Sequence, residues 1–436
     1  MAAQPRRGRL LDALRNNPEW RKLYLARAVS LLGHWLNTLA ILHLLGEGEA
    51  TEALALAVVF VLKQAPMAVL GPVAGVVADR FERRKVMIGC DLLSAALVLG
   101  FLATSPGGSR TPIYLLTFAQ IGVGAFFDPA YRAVMPDLLR SEDLLAANAL
   151  SAMTWSAIFA IGTALGGLVL FALGWQAAFA LDALTYVISA AIIASIDAPA
   201  LPGHDRPEGR PRGGCFGLGD LGFGALLEGI RYILTTREIR RIIVAKFVWG
   251  MMGAITLFLT LLGLSADHRL AGSGDLGISF LWFCRALGTG LGPVLARHYA
   301  GSDPRRLRQS VAIGFWLGMG FYVLTALTSS WWLAGLFVVG AHIGGSMVWV
   351  MSTVLLQRMV PTRLRGRTFA AELALVMLSS SLSHLLYGAL LDFTSVEVRG
   401  GILLCVAVCA PIALYWTVRI GFARDRAPTQ DAAAGG

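Results

Sequence analysis

Long apolar segments constrain this chain more than any other feature of its sequence. About twelve windows of roughly 20 apolar residues are separated by charged, proline-rich or glycine-rich breaks. A helix needs roughly 20 residues to cross a hydrocarbon core of about 30 Å, so each window is long enough to span a membrane. The predicted spans are 23–45, 53–78, 86–105, 112–130, 147–170, 176–196, 241–264, 274–297, 308–328, 331–355, 369–391 and 399–421.

The composition excludes an ordinary soluble domain. Only 15% of the 436 residues are charged, whereas soluble domains have about 25%, and the mean hydropathy is +0.65. The first window is longer than the apolar core of a signal peptide and no A-x-A cleavage signal follows it, which predicts an uncleaved first span. We therefore predict an all-α membrane protein with twelve transmembrane helices.

The distribution of Lys and Arg predicts the orientation in the membrane. Basic residues are frequent in alternate loops, including 80–85, 206–241, 305–308 and 358–367, and sparse in the others. Under the positive-inside rule this asymmetry places both termini in the cytoplasm. We interpret the net charge of +10 as a signal of topology and of contact with anionic lipids. A nucleic-acid partner is disfavoured, because the basic residues are dispersed over short loops.

The chain divides into two halves that resemble one another. Gly71-Pro72-Val73 closes the second span before a basic loop, and Gly292-Pro293-Val294 closes the eighth in the same way. This predicts two parallel six-helix repeats, an architecture in which the substrate site lies between the repeats at mid-membrane. The predicted divisions are a basic arm (1–22), an N-terminal bundle (23–197), a linker with an amphipathic helix (198–240), a C-terminal bundle (241–421) and a disordered tail (422–436).

A dense cluster of charge lies between the second and third spans. The stretch GVVADRFERRK, residues 75–85, has six charged residues among eleven. It resembles the signature loop G-x-x-x-D-R-x-G-R-R/K of the major facilitator superfamily, except that Glu82 replaces the second glycine. The residues that match are Gly75, Asp79, Arg80, Arg83 and Arg84. The resemblance implies the major facilitator fold.

The same resemblance implies a conformational role for this loop. Asp79 would meet the positive N-terminal end of span eleven, in the opposite half, and Arg83 would brace Asp128 of span four. These contacts would hold the halves together in the outward-facing state. The alternative is a solvated basic loop that only obeys the positive-inside rule.

Further segments resemble the bacterial drug-efflux branch of this superfamily, which includes macrolide exporters and the enterobactin exporter. IGTALGG, residues 161–167, resembles the glycine-rich antiporter motif of span five through Gly162, Gly166 and Gly167, although Thr163 replaces the expected proline. Small residues at this spacing would also serve simply to let helices approach closely. The other segments that carry the resemblance are 126–139, 144–150, 181–190 and 226–242.

Ionisable residues within the spans are candidates for the transport pathway, because charge in hydrocarbon is costly unless it faces a cavity or a partner. Arg27, Ser30, His34 and Asn37 share one helical face of span one. His34 replaces the acid that the resembled branch carries here, so it is either a proton carrier or a hydrogen-bonding group of the pore. The other candidates for the cavity or for proton coupling are Lys63, Arg285 and Glu372.

The signs of these residues suggest a cargo. The deeper set, Arg27, His34, Lys63 and Arg285, is basic, whereas the acids lie nearer the membrane surfaces. An anionic or zwitterionic amphiphile is therefore favoured over a lipophilic cation. Snorkelling of Arg27 or internal pairing of the others would remove this preference.

No motif of a catalytic, nucleotide-binding or metal site is convincing in this sequence, so we expect neither an enzyme nor a cofactor or metal. We predict a secondary transporter of the bacterial cytoplasmic membrane that exports small amphipathic organic molecules by proton antiport. Its partners would be the cargo, the proton gradient and membrane lipids. One twelve-span chain is enough for a complete pathway, which favours a monomer. The alternatives are an importer or lipid transporter on the same fold, and a membrane scaffold that transports nothing.

Overall fold

The computed structural model describes residues 10–46, 52–140, 142–197, 223–301 and 303–422. Residues 1–9 of the predicted arm, 198–222 of the predicted linker and 423–436 of the predicted disordered tail lie outside these ranges, as do the side chains of a few residues within them, Asp79 among them. The described helices are α1 (Leu10–Asn16), α2 (Pro18–Gly46), α3 (Ala53–Leu62), α4 (Ala65–Arg80), α5 (Arg83–Gly100), α6 (Arg110–Val134), α7 (Leu144–Ala194), α8 (Phe223–Thr235), α9 (Arg237–Met251), α10 (Ile255–Leu264), α11 (Gly274–Ala300), α12 (Pro304–Leu327), α13 (Trp331–Met359), α14 (Thr362–Phe393) and α15 (Val398–Trp416).

These helices confirm the twelve predicted crossings. Eleven helical segments of the described chain are long and apolar enough to span a membrane, and one of them, Ala146–Ala194, has 49 residues. A helix of that length would measure about 74 Å, more than twice the thickness of a hydrocarbon core. It is interrupted at Gly174, whose φ of +80° is a backbone conformation that glycine adopts without a steric penalty. The interruption falls between the fifth and sixth predicted spans, so α7 contains two crossings.

The second crossing is broken at mid-length, which the sequence analysis did not predict. It consists of α3 and α4, separated by a turn at Lys63 and Gln64. Pro66 explains the break, because proline lacks a backbone N–H and its ring clashes with the carbonyl four residues earlier, that of Leu62. The turn places the side chain of Lys63 at the end of a helix within the membrane.

The two halves meet along two pairs of helices. α7 of the first half packs on α11 of the second, and α3 packs on α14. The close approach of α7 and α11 depends on Gly167, since a Cβ at this position would lie 2.0 Å from Ser279 Oγ. We call the end of the bundle that contains Gly46 and Gly274 the outer end, and the end that contains Arg83 and Thr362 the inner end, after the predicted topology.

A short helix, α8, precedes the seventh crossing. α8 covers residues 223–235 and packs against the inner end of α14. A Cβ at Gly229 would lie 2.1 Å from the Arg367 carbonyl oxygen, so the two helices are in direct backbone contact. The Glu228 carboxylate also pairs with the Arg367 guanidinium. α8 is thereby attached to the second half of the chain.

Candidate functional site

A cavity of about 300 Å³ lies between the two halves. The first half contributes α2, α3 and the turn after α3. The second half contributes α9 to α14, including the 3-10 turn Met252–Ala254 that separates α9 from α10. Interrupted helices line this cavity from both halves. A volume of this size matches the lower end of the range for small-molecule sites.

Lys63 and Arg285, two of the predicted pathway residues, face this cavity from opposite halves. The Lys63 ammonium is buried and has no hydrogen-bond partner, and the same is true of Arg285 Nε. The guanidinium carbon of Arg285 lies 5.4 Å from the centre of the Phe159 ring and 5.5 Å from that of Trp282. These cation–π contacts hold the guanidinium against an aromatic wall.

Three histidines also line the cavity. His34 was predicted to do so, whereas His342 and His384 were not singled out. His384 Nδ1 lies 2.7 Å from the Ser380 carbonyl oxygen, which only accepts, so Nδ1 carries a hydrogen and Nε2 is left without a partner. His342 Nε2 lies 2.5 Å from the Tyr322 hydroxyl. No group of three His, Cys, Asp or Glu residues suited to a metal ion occurs in the described part of the chain.

Aromatic rings from both halves form the apolar part of the wall. Trp282 of α11 lies 6.1 Å from Phe60 and 6.2 Å from Trp35 of the first half, measured between ring centres. Trp35 stacks on Phe159 at 4.2 Å, and Phe60 lies 5.0 Å from the His384 ring. The indole of Trp282 therefore sits among rings of the opposite half, at the interface on which any rocking motion would act.

Two polar residues lie directly behind the first-half wall. Asn37 is fully buried and does not line the cavity, contrary to the prediction that the whole polar stripe of span one does so. Asp182 of α7 packs on α2, where a Cβ at Gly33 would lie 2.4 Å from its Oδ1, and it is the acid whose charge acts on Lys63. Within the described residues, neither a salt bridge nor a hydrogen bond joins the Asp182 carboxylate to the Lys63 ammonium.

Arg27 is not part of the cavity wall, so its predicted place there is wrong. Its guanidinium forms an ion pair of 2.7 Å with Asp128 of α6 and lies 5.2 Å from the Phe127 ring centre. Arg27 is about two turns from His34 toward the inner end, where an acid on the neighbouring helix is within reach. Arg27 is therefore paired internally, whereas the sequence analysis left internal pairing open for the other basic residues of the set and snorkelling for Arg27.

Glu372 likewise does not line the cavity and instead forms an ion pair. Its carboxylate lies 2.6 Å from the ammonium of Lys246 on α9, and both side chains are almost completely buried, at 4% and 1% exposed. Lys246 also donates a hydrogen bond of 2.6 Å to Thr353 Oγ1 and lies 4.2 Å from the Trp349 ring centre. Trp349 in turn contacts Trp249, which lines the cavity. The pair is thus one layer behind the second-half wall.

The charged loop at residues 75–85 forms contacts within the first half. Arg83 pairs with Asp137 at 3.1 Å and donates to the Ala133 carbonyl oxygen, so the brace between Arg83 and Asp128 that is predicted for the outward-facing state is not formed in this structure. Asp137 follows the end of α6 and is closer to the loop, while Asp128 is already paired. Arg84 donates to the Ala194 carbonyl oxygen at the end of α7.

Two further residues of the signature, Gly75 and Arg80, lie in α4. No atom of the described residues lies within 4 Å of a Cβ placed at Gly75. The side chain of Asp79 lies outside the description. The predicted contact between Asp79 and the start of α14 therefore stays a prediction.

The glycines of the predicted antiporter motif lie at helix contacts. A Cβ at Gly162 would lie 2.9 Å from Trp35 Cβ, and one at Gly166 would lie 2.7 Å from a methyl carbon of Leu39, both on α2. Gly167 faces Ser279 across the two halves. These distances give direct support to the packing interpretation of the motif.

Polar contacts join the halves at the outer end. His43 Nδ1 lies 3.0 Å from Asp275 at the start of α11. Asp392, at the end of α14, accepts hydrogen bonds of 2.8 Å from the backbone N–H groups of Ala53 and Leu54 at the start of α3. Nearby, a hydrogen bond from Arg110 holds the pKa of Glu52 below its ordinary value. These contacts hold the two halves together at the outer end.

Several of these residues were missed from the sequence, for identifiable reasons. Lys246 lies inside the predicted span 241–264, near its basic inner end, and the sequence analysis did not single it out. His43, Asp275 and Asp392 lie at span ends, where charge is common and carries little information. Only Pro66 gave a usable signal, since proline within an apolar run indicates a possible break.

Comparison with known proteins agrees with the fold. Residues 23–384 match the model of the Major Facilitator Superfamily. The putative bacilysin exporter BacE of Bacillus subtilis is 26% identical, covering 75% of this chain and 77% of its own. The enterobactin exporter EntS of Shigella boydii is 27% identical (82% and 81%), and macrolide efflux protein A of Streptococcus pyogenes is 25% identical (89% and 94%).

A solved structure supports the same assignment. The nucleoside transporter NupG superposes with a TM-score of 0.72 at 12% identity, covering 92% of this chain and 99% of its own. At that identity the similarity shows the fold alone. With a family match over most of its length and twelve crossings in two halves, the chain belongs to the Major Facilitator Superfamily.

Proposed function

We propose that this chain exports small amphipathic organic molecules across the bacterial cytoplasmic membrane by alternating access, in exchange for protons. The observation that carries the proposal is the cavity between the halves, whose wall combines aromatic rings with a few ionisable groups. Such a wall suits a molecule with an apolar body and few polar groups. Three relatives bear names that describe export or efflux, which supports the direction.

The contacts between the halves support a rocking mechanism. The outer end is held closed by Asp275 with His43 and by Asp392 with the start of α3. Rocking of residues 1–197 against 223–421 would separate these contacts and bring the inner ends together. In that state Asp79 would meet the start of α14, as the resemblance to the signature loop implies.

Two groups are candidates for the exchanged proton. His34 faces the cavity, and Glu372 lies behind the opposite wall in its ion pair with Lys246. Proton and cargo would bind in different conformational states. A proton that enters the cell releases about 2.3 kcal/mol of free energy for every 100 mV of membrane potential. This free energy is enough to drive accumulation of the cargo outside the cell.

Uptake into inverted membrane vesicles tests this function. The lumen is acidified, and labelled erythromycin, ethidium and a catecholate siderophore are added to vesicles that contain wild-type protein or single variants. We expect uptake of at least one compound that depends on the pH gradient and is lost in Asp79→Asn. Glu82→Gln is the matched control, because it removes one acid from the same loop at an exposed position where this chain already departs from the signature. Uptake that survives collapse of the pH gradient would contradict proton exchange, and no uptake of any compound would contradict export.

The proton site is tested in the same vesicles. His34→Ala and Glu372→Gln are compared for uptake driven by the pH gradient and for exchange of labelled against unlabelled compound without a gradient. The variant that has lost the proton site is expected to retain exchange and to lose gradient-driven uptake. If both variants retain gradient-driven uptake, neither residue carries the proton.

A further inference from the structure

We propose that the cavity binds an organic anion whose charged group lies between Lys63 of the first half and Arg285 of the second. The ligand class is an aromatic or otherwise apolar carboxylate or sulfonate. This inference rests on the proposed function, since it assigns the cargo of the same cavity.

The first argument comes from the hydrogen bonds that these two cations lack. The buried Lys63 ammonium has no partner, and Arg285 Nε is buried without one. Unpaired cations inside a membrane protein are costly, and such groups normally have a partner or a ligand. By comparison, the buried ammonium of Lys246 has an acid as its partner, the carboxylate of Glu372. A ligand oxygen would supply the missing acceptor.

No acid on the described cavity wall competes with a ligand for these two cations. The wall contains Lys63, Arg285 and three histidines, and no Asp or Glu side chain within the described residues. Asp182, the acid whose charge acts on Lys63, lies behind this residue and is not on the wall. Glu372 is already neutralised by its own cation. A cargo therefore meets a surface of positive sign from both halves.

Each cation is placed for a different part of the contact. The guanidinium of Arg285 lies over the Phe159 and Trp282 rings, and a guanidinium can bind a carboxylate or sulfonate through two N–H groups at once. Lys63 follows the break after α3 and presents a point charge without directional demands. An anion between them contacts both halves at once.

The aromatic wall determines the rest of the ligand. Trp35, Phe60 and Trp282 form a cluster at the interface of the halves, with ring centres 6.1 to 6.2 Å apart across it. Flat apolar groups stack on such rings favourably. A cavity of about 300 Å³ accommodates a bicyclic aromatic body with its charged group. Naphthalene derivatives are therefore suitable probes.

Binding of three matched probes to the purified full-length protein in nanodiscs tests the sign of the charge. Radiolabelled 2-naphthoate is bound, and unlabelled 2-naphthoate, 2-naphthylmethanol and 2-naphthylmethylammonium compete. We expect the affinity of the anion to exceed that of the neutral alcohol by about tenfold or more, which is the contribution of a charge-assisted hydrogen bond. The cation is expected to compete least. Equal competition by all three probes, or preference for the cation, would overturn the proposal without any variant.

Substitutions then test the location. Lys63→Met and Arg285→Met are each expected to weaken 2-naphthoate about tenfold to a hundredfold while changing 2-naphthylmethanol by less than about threefold. Lys63→Arg keeps a charge at a position without directional demands and is expected to retain most of the affinity, whereas Arg285→Lys keeps the charge, loses the planar fork and is expected to retain only part of it. Arg306→Gln, which removes one exposed cation far from the cavity, is the control. Unchanged anion affinity in both Met variants, with the thermal unfolding midpoint of wild type, would refute the assignment.

The outcomes separate this inference from the proposed function. Anion binding that depends on Lys63 and Arg285, without export from cells or into inverted vesicles, would support the anion site and contradict the exporter. Proton-driven export of erythromycin or ethidium, combined with a preference for the cationic probe, would do the reverse.

Discussion

Removing one partner of the Lys246–Glu372 ion pair should destabilise the protein strongly. The two charges are 2.6 Å apart, and their side chains are 1% and 4% exposed. Glu372→Gln preserves the shape of the side chain and removes its charge. It leaves the Lys246 ammonium without a countercharge, with the new amide oxygen, Thr353 Oγ1 and the Trp349 ring as its polar neighbours among the described residues.

The magnitude follows from the cost of an uncompensated buried charge. Breaking such a pair from one side costs about 3–5 kcal/mol. The remaining hydrogen bond and the cation–π contact offset part of this, so we expect a loss of about 3 kcal/mol in the free energy of unfolding. Replacing both partners, as in Lys246→Met with Glu372→Met, removes both charges together. This double variant should lie within about 1–2 kcal/mol of wild type, because apolar pairs often replace buried ion pairs at little cost.

Equilibrium unfolding by sodium dodecyl sulfate in mixed micelles measures these differences. Glu228→Gln is the matched control, since it breaks an ion pair to the same helix, α14, in which both side chains are about half exposed. An exposed pair contributes about 0–1 kcal/mol. The reasoning is refuted if Glu372→Gln costs no more than the control, or if the double variant is less stable than the single one.

Three further results are expected. Gly167→Val should disfavour the closed outer end, because the Cβ of the new side chain would lie 2.0 Å from Ser279 Oγ. The extent of cysteine labelling from outside should therefore rise, and an unchanged extent of labelling would contradict this. His268 is buried in the outer loop, and burial lowers its pKa below 6.5, so its contribution to stability is complete above pH 6.5 and falls as the pH drops below that value. Thermal unfolding between pH 5 and 8 should show a smaller acid-side loss for His268→Gln than for wild type. Arg83→Gln should lower stability by less than about 1 kcal/mol, since its pair with Asp137 is partly exposed, yet reduce uptake by inverted vesicles; wild-type uptake would count against a switch role.

The fold was largely predictable from the sequence, because the membrane imposes one simple requirement on length and polarity. The twelve apolar windows correspond to the twelve crossings, and Gly174 lies in the short gap predicted between spans five and six. His34, Lys63 and Arg285 were identified from their depth within these windows, and all three line the cavity. Depth in a span is a good guide here, since an ionisable group deep in hydrocarbon needs a cavity or a partner.

The partners of the charged residues were not predictable in the same way. Asp128 and Asp137 both lie near the inner end of the fourth crossing, and only the structure shows that Arg27 takes the first and Arg83 the second. Glu372 was expected in the cavity because Lys246 was not recognised as a buried cation. Pairing depends on helix rotation and tilt, and these are determined by packing between helices, which a single sequence does not reveal.

Alternating access is tested most directly by fixing the outer end in its closed state. His43→Cys and Asp275→Cys, in a background without other cysteines, are joined by a short bis-methanethiosulfonate reagent across the contact that closes this end. We predict that the joined protein loses uptake into inverted vesicles, still binds 2-naphthoate, and regains uptake when the link is reduced. Uptake at the wild-type rate by fully joined protein would show that the cargo does not pass between the halves at this end, and the account would be wrong.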